Sequence, residues 1–326
     1  MGHVFVTRAI PGRAVEMLEK AGHTLDVWAG ELPPPRTALL ERLPVADAAL
    51  TMVTDRCDGE ILEAARRLRI IANMAVGYDN VEPAGAAARG IWLTNTPGVL
   101  AETTADFAFG LLLAVARRIS ESDRHTRAGG WKTWSPTAFL GPDVHGATLG
   151  ILGLGEIGTA MARRGRGFGM PILYHNRNRN MAAEAELGAE YVEFDDLLSR
   201  SDFVSVHVPL TEKTHHMLGV VEFGLMRPGA VLVNTARGGV IEQDELVDAL
   251  ANGSLGGVGL DVTDPEPLPL DHRLYSFENV VITPHIGSAG TVTRARMAEM
   301  AAANIIAALA GEEPPNAVNK PIRRRL

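Results

Sequence analysis

The chain has 326 residues, of which 46% are hydrophobic and 21% charged, and its formal net charge is −8. This composition is typical of a folded globular protein long enough for two domains, which excludes a disordered chain. The acidic balance argues against a nucleic-acid partner, because such proteins favour a basic face. The basic run Arg323-Arg324-Arg325 is interpreted as a solvated terminus.

Three features predict a cytoplasmic protein that is not attached to a membrane. The N-terminal stretch Met1–Thr7 starts in a strand pattern and lacks the layout of a secretory signal. No apolar run reaches the roughly 18 residues of a membrane span. The single cysteine, Cys57, excludes an intrachain disulfide and fits a reducing compartment, and we interpret it as a small apolar residue.

The first ninety residues alternate short apolar strands with helical patterns. The predicted strands and helices are, in turn, Val4–Val6, Ala48–Met52 and Ile70–Met74, and Gly12–Ala21, Glu60–Leu68 and Val81–Arg89. Alternation of this kind predicts a mostly parallel sheet flanked by helices.

A long Ala-rich helix is predicted from about Glu102 to Thr126, where it would connect two domains. The segment that follows, residues 129–136, lacks periodicity and contains Trp131 and Trp134. Exposed indoles call for a covering surface, so we expect a second copy of the chain to bury this arm. The sequence therefore predicts a homodimer.

A Gly-x-Gly-x-x-Gly turn follows, with the sequence Gly153-Leu154-Gly155-Glu156-Ile157-Gly158. The first glycine would permit a tight turn, the second would let the backbone approach a pyrophosphate, and the third would let the helix pack on the strand. A glycine-rich turn alone can be no more than a turn. Here an apolar strand precedes it and the strand Pro171–Tyr174 completes a βαβ unit, which favours a dinucleotide site at the helix N-terminus.

The alternation then resumes, with strands predicted at Phe203–Val208, Ala230–Asn234, Gly257–Asp261 and Val280–Thr283. The last helix, Val292–Ala310, is expected to pack back on the first domain. The predicted fold class is α/β, with two Rossmann-like domains of doubly wound parallel sheets and the nucleotide domain inserted into a discontinuous substrate domain. Its predicted boundaries are 1–98 plus 288–326 for the substrate (catalytic) domain and 99–287 for the dinucleotide-binding domain, with a dimerisation arm around 120–147.

The strand after the glycine turn ends in polar residues that bear on the choice of cofactor. NAD-binding units carry an acidic residue about 20 residues beyond the turn, and none stands there. Asn176 could bond a 2′-phosphate instead, while Arg177 and Arg179 could neutralise it. We therefore predict NADP(H), with NAD(H) as an alternative, and an incidental polar loop as the plainer interpretation.

Three polar residues, Arg237, Glu266 and His285, follow predicted strand ends on the side where doubly wound sheets bind ligands. Taken singly, each has an ordinary structural interpretation, and an isolated histidine is more often a core residue than a catalytic one. The sequence segments that contain these residues favour a catalytic role instead. In order they are the glycine turn, Asn234-Thr235-Ala236-Arg237-Gly238-Gly239, Asp261–Pro267 and Thr283-Pro284-His285-Ile286-Gly287.

Together these four segments resemble the D-isomer-specific 2-hydroxyacid dehydrogenases over nearly the whole chain, and within that family the glyoxylate and hydroxypyruvate reductases. The resemblance implies a catalytic set of Arg237, Glu266 and His285. Reduction of a 2-keto acid needs a positioned proton donor, which His285 can supply. Glu266 would orient its ring and favour imidazolium, and Arg237 would hold the substrate carboxylate and polarise the carbonyl. No metal is expected in this chemistry, and His215 and His216 are interpreted as surface or loop residues, because neighbours on a helix or strand do not face one ligand.

The resemblance also implies further contacts. Backbone amides at Val76 and Gly77 would bind the substrate carboxylate, although a plain turn after a buried strand predicts the same glycine. Trp134 resembles an aromatic residue that related reductases donate to the neighbouring subunit's active site, with burial inside the arm as the alternative. The implied cofactor contacts outside the glycine turn and Asn176–Arg179 are Thr104, Pro209, Thr214, Thr235, Ala236, Asp261 and Gly287.

Two other functions stay open at this point. Phosphite dehydrogenases share the fold and a similar ending to Asn316-Ala317-Val318-Asn319, but phosphite oxidation would suit an acidic residue in place of Asn176. Some relatives serve as dinucleotide-sensing corepressors, yet those tend to carry long tails. We expect a small 2-keto or 2-hydroxy acid as the partner, and neither nucleic acid nor membrane.

Overall fold

The computed structural model describes residues 1–322, so the basic run Arg323-Arg324-Arg325 lies outside the described residues. The chain divides into two compact units, Met1–Leu100 with the described part of Ala289–Leu326, and Ala101–Ser288. Each unit contains one sheet in which all neighbouring strands are parallel. The predicted α/β fold class, with one unit inserted into another, is confirmed.

The first unit has a five-stranded sheet in the order β2-β1-β3-β4-β5. Its strands are β1 His3–Val6, β2 Thr24–Val27, β3 Ala48–Thr51, β4 Ile70–Asn73 and β5 Trp92–Thr94. Its helices, up to residue 100, are α1 Ala14–Lys20, α2 Arg36–Arg42, α3 Gly59–Ala64 and α4 Pro83–Ala88. The internal strands β3 and β4 are buried along their whole length, as the continuous apolar patterns predict.

Two strands of this sheet were absent from the sequence prediction. The edge strand β2 reads Thr-Leu-Asp-Val and has no fully buried residue, so it lacks the apolar run by which buried parallel strands are found. The other, β5, has only three residues. The edge position of β2 and the short length of β5 explain why neither strand has an apolar run that sequence analysis detects.

The second unit has a seven-stranded sheet in the order β12-β11-β10-β9-β6-β7-β8. Its strands are β6 Leu149–Leu152, β7 Ile172–His175, β8 Glu190–Tyr191, β9 Phe203–Val206, β10 Ala230–Asn234, β11 Leu255–Leu260 and β12 Val280–Ile282. Its helices are α5 Ala101–Ala116, α6 Ile119–Arg127, α7 Glu156–Gly167, α8 Met181–Leu187, α9 Phe194–Arg200, α10 Val220–Leu225 and α11 Gln243–Ala251. Buried aliphatic side chains on both faces of the sheet form its two cores.

The chain then returns to the first unit through α12, Thr291–Ala310. This helix packs on α1 and on strands β3 and β4, as predicted from its position and composition. Among the described residues, no helix combines the length and the apolar character that crossing a bilayer requires.

The prediction of one helix from Glu102 to Thr126 was wrong. The apolar part, α5, is largely buried and packs on α7, β10 and β11, whereas α6 has no buried residue. Between them Arg118 adopts a left-handed backbone conformation with φ 51°, and its guanidinium pairs with Glu121 at 2.6 Å. The helix breaks where the apolar face ends, because the polar stretch beyond has no core to continue along.

Candidate active site

The candidate site lies at the carboxyl edge of the seven-stranded sheet. Arg237 follows β10, Glu266 lies in the loop after β11, and His285 follows β12, and these three strands are neighbours. The glycine turn follows β6, at whose flank the strand order reverses, with β9 on one side and β7 on the other. Ligands of doubly wound sheets bind at this reversal, outside the carboxyl ends of the strands.

Asp261 holds the turn that carries His285. Its carboxylate is 1% exposed and accepts from Thr283 Oγ1 at 2.7 Å and from the backbone N–H groups of Ile286 at 2.8 Å and Gly287 at 2.7 Å. The backbone carbonyl of Asp261 also accepts from the N–H of His285 at 2.9 Å. These contacts give Asp261 a structural role, while its implied contact with nicotinamide stays a prediction.

His285 itself has a positive φ of 55°, which is uncommon for a residue with a side chain. Such a conformation costs of order 1–3 kcal/mol and persists only where the surroundings fix it. The bonds from Asp261 on both sides of His285 supply that constraint. The turn therefore fixes the backbone position from which the imidazole projects.

The imidazole of His285 meets the carboxylate of Glu266. Nδ1 lies 2.7 Å from Oε1, and the two side chains are 28% and 38% exposed. A carboxylate can only accept, so Nδ1 donates, and Nε2 is left as the nitrogen that can exchange a proton with a bound molecule. The structure thus brings together two of the three predicted catalytic residues in hydrogen-bonding contact.

Arg237 sits in a turn that packs on the Glu266 loop. The amide of Asn234, buried at the end of β10, donates to the carbonyl of Arg237 at 2.8 Å and its oxygen accepts from Ala236 at 2.9 Å. A side chain at Gly238 would lie 2.1 Å from the backbone of Thr263, so the glycine allows the two turns to touch. Arg237 is half-buried, and one guanidinium nitrogen donates to the carbonyl of Ala236 at 2.8 Å.

The glycine turn has the geometry that its sequence predicts. Gly153 has φ 97°, and a side chain there would lie 2.8 Å from the backbone of His207. A side chain at Gly158 would lie 2.1 Å from the carbonyl oxygen of Gly153, so the helix packs directly on the turn. Gly155 faces open space, with no atom of the described chain within 4 Å of an added Cβ. It is also the N-cap of α7, which has no side-chain cap.

Leu154, between the first two glycines of the turn, has its backbone polar groups bonded within the protein. It is 1% exposed, its N–H donates to Asn176 at 2.6 Å, and its carbonyl accepts from Asn180 at 2.9 Å. Both of its backbone polar groups are used inside the protein, so Leu154 ties the turn to the end of β7 and offers no donor to a phosphate. Asn180 was missed at the sequence level; it also caps α8 through Ala183, a pattern visible only once the helix start is known.

The two arginines after β7 differ in their surroundings. The guanidinium of Arg179 pairs with Glu184 at 3.0 and 2.6 Å and lies over the ring of Tyr191. That carboxylate also accepts from Tyr174, and the two partners hold the pKa of Glu184 below its usual value, Arg179 foremost. Arg177 is exposed and forms no ion pair within residues 1–322. Arg177 is therefore the better placed of the two for an anionic ligand.

The remaining predicted cofactor residues line the same edge. Thr104, on α5, lies beside Gly287, and Thr214 bonds the carbonyl of Pro209 at 2.6 Å. Thr235, at the end of β10, has a buried hydroxyl without a hydrogen-bond partner in the described part of the chain. A buried polar group in that state calls for an explanation, and a bound ligand is one.

The predicted substrate residues outside this sheet are placed as follows. The carbonyls of Val76 and Gly77, in the first unit, accept from the side-chain amides of Asn95 and Asn73, each at 2.9 Å. Trp134 lies in the irregular segment after α6 and is 79% exposed, and Trp131 is 70% exposed. Burial of Trp134 within its own chain, the alternative interpretation, is therefore wrong.

Two further predictions concern His and Cys residues. Cys57 is buried, and this burial raises the pKa of its thiol to about 12, consistent with a small apolar residue. His215 and His216 are exposed loop residues, as predicted, but the reason given for setting them aside was wrong. They lie in a turn where His216 has φ 51°, and their rings stack with centroids 3.8 Å apart.

Comparisons with known proteins identify the family of this chain. The family model described as "D-isomer specific 2-hydroxyacid dehydrogenase, NAD binding domain" matches residues 109–287. A Korarchaeum cryptofilum protein named glyoxylate reductase is 53% identical over 98% of this chain and 96% of its own. A Thermus thermophilus structure superposes with a TM-score of 0.92 at 47% identity, covering 97% of this chain and 99% of that one.

A Sinorhizobium meliloti structure, an NADPH-dependent glyoxylate/hydroxypyruvate reductase in complex with NADP and malonate, superposes with a TM-score of 0.85. It is 33% identical and covers 99% of both chains. The chain belongs to the D-isomer specific 2-hydroxyacid dehydrogenase family. It is an NAD(P)-dependent oxidoreductase that uses a nicotinamide dinucleotide cofactor.

The glycine turn gives a first prediction. Gly155→Ala should leave the free energy of unfolding within about 0.5 kcal/mol of the parent, because its methyl meets no protein atom, but lower dinucleotide affinity about tenfold or more. Gly158→Ala should lower both, with stability falling by roughly 1–3 kcal/mol, because its methyl would overlap the Gly153 carbonyl. Urea unfolding and fluorescence titration with NADPH measure the two quantities.

Gly167→Ala is the matched control, since it lies at the exposed end of the same helix with nothing within 4 Å. It should change neither quantity for the worse. Parental affinity in Gly155→Ala would contradict a phosphate site at this turn.

Proposed function

We propose that this chain reduces glyoxylate or hydroxypyruvate to the 2-hydroxy acid with NADPH, with His285 as the acid/base residue. The observation that carries the proposal is the His285–Glu266 pair, 2.7 Å apart, on a turn that buried Asp261 fixes. The names of the relatives at about half identity supply the substrate class. We also propose the cytoplasm as its compartment, in keeping with a single buried thiol.

The residues at the sheet edge fit a dinucleotide. Gly155 leaves open space at the N-cap of α7, where a side chain would obstruct a pyrophosphate, and the helix N-terminus favours an anion. The hydroxyl of Thr235, which has no hydrogen-bond partner among residues 1–322, follows the end of β10 in the same sheet. Gly155, Gly158 and Arg177 would hold the phosphates, and Thr104 and Gly287 the other end of the cofactor.

When bound, the reduced nicotinamide supplies hydride to the carbonyl carbon of the keto acid. His285 donates the proton that the carbonyl oxygen needs, from Nε2, since Nδ1 is held by Glu266. Glu266 stabilises the positive charge of the protonated ring and keeps it in one tautomer. Arg237 binds the substrate carboxylate and stabilises negative charge on the carbonyl oxygen. In the reverse direction His285 accepts the proton.

Initial rates with glyoxylate, hydroxypyruvate and pyruvate, each with NADPH and NADH, test the activity. We expect glyoxylate or hydroxypyruvate with NADPH to give the highest kcat/KM. His285→Ala should lower that value by about 100- to 10,000-fold, the usual contribution of a positioned acid. Glu266→Gln should lower it about tenfold or more, because an amide cannot balance an imidazolium charge.

The matched control is His145→Ala, which removes an exposed histidine of the same unit outside this sheet edge. It should retain full activity. If every keto acid is reduced slowly while NADPH still binds, the proposed substrate class is wrong. Phosphite oxidation with NAD would then be measured, and a chain that binds dinucleotide without either turnover would be a sensor of the corepressor type.

The preference for NADP rests on the loop after β7. Asn176 uses its side-chain oxygen on Leu154, which leaves its amide N–H groups for a phosphate, and Arg177 is exposed beside it. We expect Arg177→Ala to raise the Kd for NADPH about ten- to hundredfold, the effect of losing one charged hydrogen bond, and to leave that for NADH nearly unchanged. Isothermal titration measures both constants.

Arg179→Ala is the paired control, because its guanidinium already pairs with Glu184. It should affect NADPH less than Arg177→Ala does. Equal losses for the two dinucleotides in Arg177→Ala would contradict a 2′-phosphate contact and favour a general effect on the loop.

The arm after α6 supports a homodimer. Trp131, Trp134 and Leu140 present large apolar side chains within ten residues, each at least 66% exposed. Such a cluster on a monomer marks an interaction surface. We propose that a second copy of the chain covers it, and that Trp134 contributes to the neighbouring subunit's active site.

Sedimentation equilibrium should therefore give twice the chain mass of 34.8 kDa. A Trp131→Ala/Trp134→Ala double variant should shift the mass toward the monomer, because two interface anchors are removed. Leu270→Ala, an exposed apolar residue outside the arm, is the control and should stay dimeric. A parental chain that sediments as a monomer at micromolar concentration would contradict the proposal.

A further inference from the structure

Three side chains outside the proposed catalytic set bring metal-ligating atoms together on the second unit. They are His215 and His216, in the turn after β9, and Asp264, in the loop after β11. One ligand atom from each lies within 4.8 Å of the other two. The rings of His215 and His216 stack with centroids 3.8 Å and planes 27° apart, so one ring must turn out of the stack before both can face one ion, and the exposure of all three side chains permits that rotation. The rotation would bring the ligand atoms to the separation of about 3.3 Å that ligands at 2.0–2.2 Å from one tetrahedral ion have.

His216 has a carboxylate partner of the kind that metal-bound histidines commonly have. Its Nδ1 lies 2.5 Å from the carboxylate of Glu242, which leaves Nε2 to ligate. A carboxylate on the far ring nitrogen fixes the tautomer and raises ligand basicity in known metal sites. Its backbone is held as well, because the N–H of His216 donates to the carbonyl of Gly239 at 2.9 Å.

Asp264 is held from the same helix start. Its backbone N–H donates to the side chain of Gln243 at 3.1 Å, and its carbonyl accepts from that side chain at 2.8 Å. Glu242 and Gln243 are the N-cap and first residue of α11. Glu242 and Gln243 thus hold His216 and Asp264, which come from two different loops. Side chains that are merely solvated do not require such contacts.

We propose that His215, His216 and Asp264 bind one divalent transition-metal ion, with Glu242 as a positioning residue. Two imidazoles and one carboxylate suit Zn²⁺, Ni²⁺ or Cu²⁺ and do not suit Mg²⁺ or Ca²⁺, which prefer oxygen ligands. Exposure leaves the remaining coordination positions to water. The bound ion would clip the turn after β9 to the loop that carries Glu266 two residues further on, and it has no step in the proposed reaction.

Isothermal titration of tag-free, chelator-treated protein with Zn²⁺ tests the proposal, with the absorption spectrum of bound Co²⁺ as a second readout. We expect one ion per chain. His215→Ala, His216→Ala and Asp264→Asn should each weaken binding about tenfold or more, and Glu242→Gln should do so within the ten- to hundredfold range of outer-shell partners. All four residues lie on the surface or partly so, and circular dichroism melting without metal checks that the variants fold.

Two controls separate this cluster from other histidines. His145→Ala should bind Zn²⁺ as the parent does, and so should His285→Ala, which removes the imidazole of the catalytic pair. Cys57 is buried with a raised thiol pKa and does not compete. The proposal is overturned if the parent binds no Zn²⁺ up to about 1 mM, if the three ligand variants keep parental affinity, or if His285→Ala abolishes the site. Because binding is read without substrate or dinucleotide, this result is independent of the proposed reductase activity.

Discussion

The hydrogen bonds of the buried Asp261 carboxylate are the constraint on which the candidate site depends. An ionised carboxylate in a protein interior is costly unless donors surround it, and here Thr283, Ile286 and Gly287 provide them. All three donors belong to the turn around His285, so removing the carboxylate would leave the turn without its partners. The positive φ of His285 is maintained by the same bonds. The backbone position of His285 is therefore set from inside the sheet, and Glu266 contacts the ring through Nδ1.

Close backbone contacts fix the remaining distances at the sheet edge. Gly158 rests on the carbonyl of Gly153, Gly153 on the backbone of His207, and Gly238 on that of Thr263. Gly158 lets α7 pack on the turn before it, and Gly153 and Gly238 each let two turns touch directly. A backbone contact has none of the rotamer freedom of a side chain. The turns after β6, β9, β10 and β11 are thereby joined in pairs. The residues proposed to bind substrate and cofactor, which these turns carry, thereby keep their relative positions without contacting one another.

The sequence predicts those parts of the fold that have a local signal. Buried strands such as β3, β4 and β10 appear as apolar runs, and the glycine turn carries its spacing with it. What a residue contacts across the fold has no such signal. The break at Arg118 depends on where a core ends, and the internal use of both backbone groups of Leu154 depends on residues 22 and 26 positions further along the chain. The pairing of Arg179 with Glu184, five residues apart, depends on the helix α8, which the sequence prediction did not contain. The stacking of His215 on His216 depended on a turn conformation that a helix-or-strand argument does not consider.

The loop after β11 shows why residue type alone does not give a role. It contains three carboxylates within six residues, and they differ in burial and in hydrogen-bond partners. Asp261 is buried and accepts three hydrogen bonds from the turn around His285, so it holds that turn. Glu266 is partly exposed, and its carboxylate bonds to the imidazole of His285. It can therefore stabilise a positive charge on that ring. Asp264 is exposed, with its backbone held by Gln243 and its side chain near two imidazoles. Carboxylates of one loop can therefore differ in chemistry. The one beside the sheet is surrounded by backbone and hydroxyl donors, whereas those further from the sheet are in contact with solvent and have fewer donors from the protein.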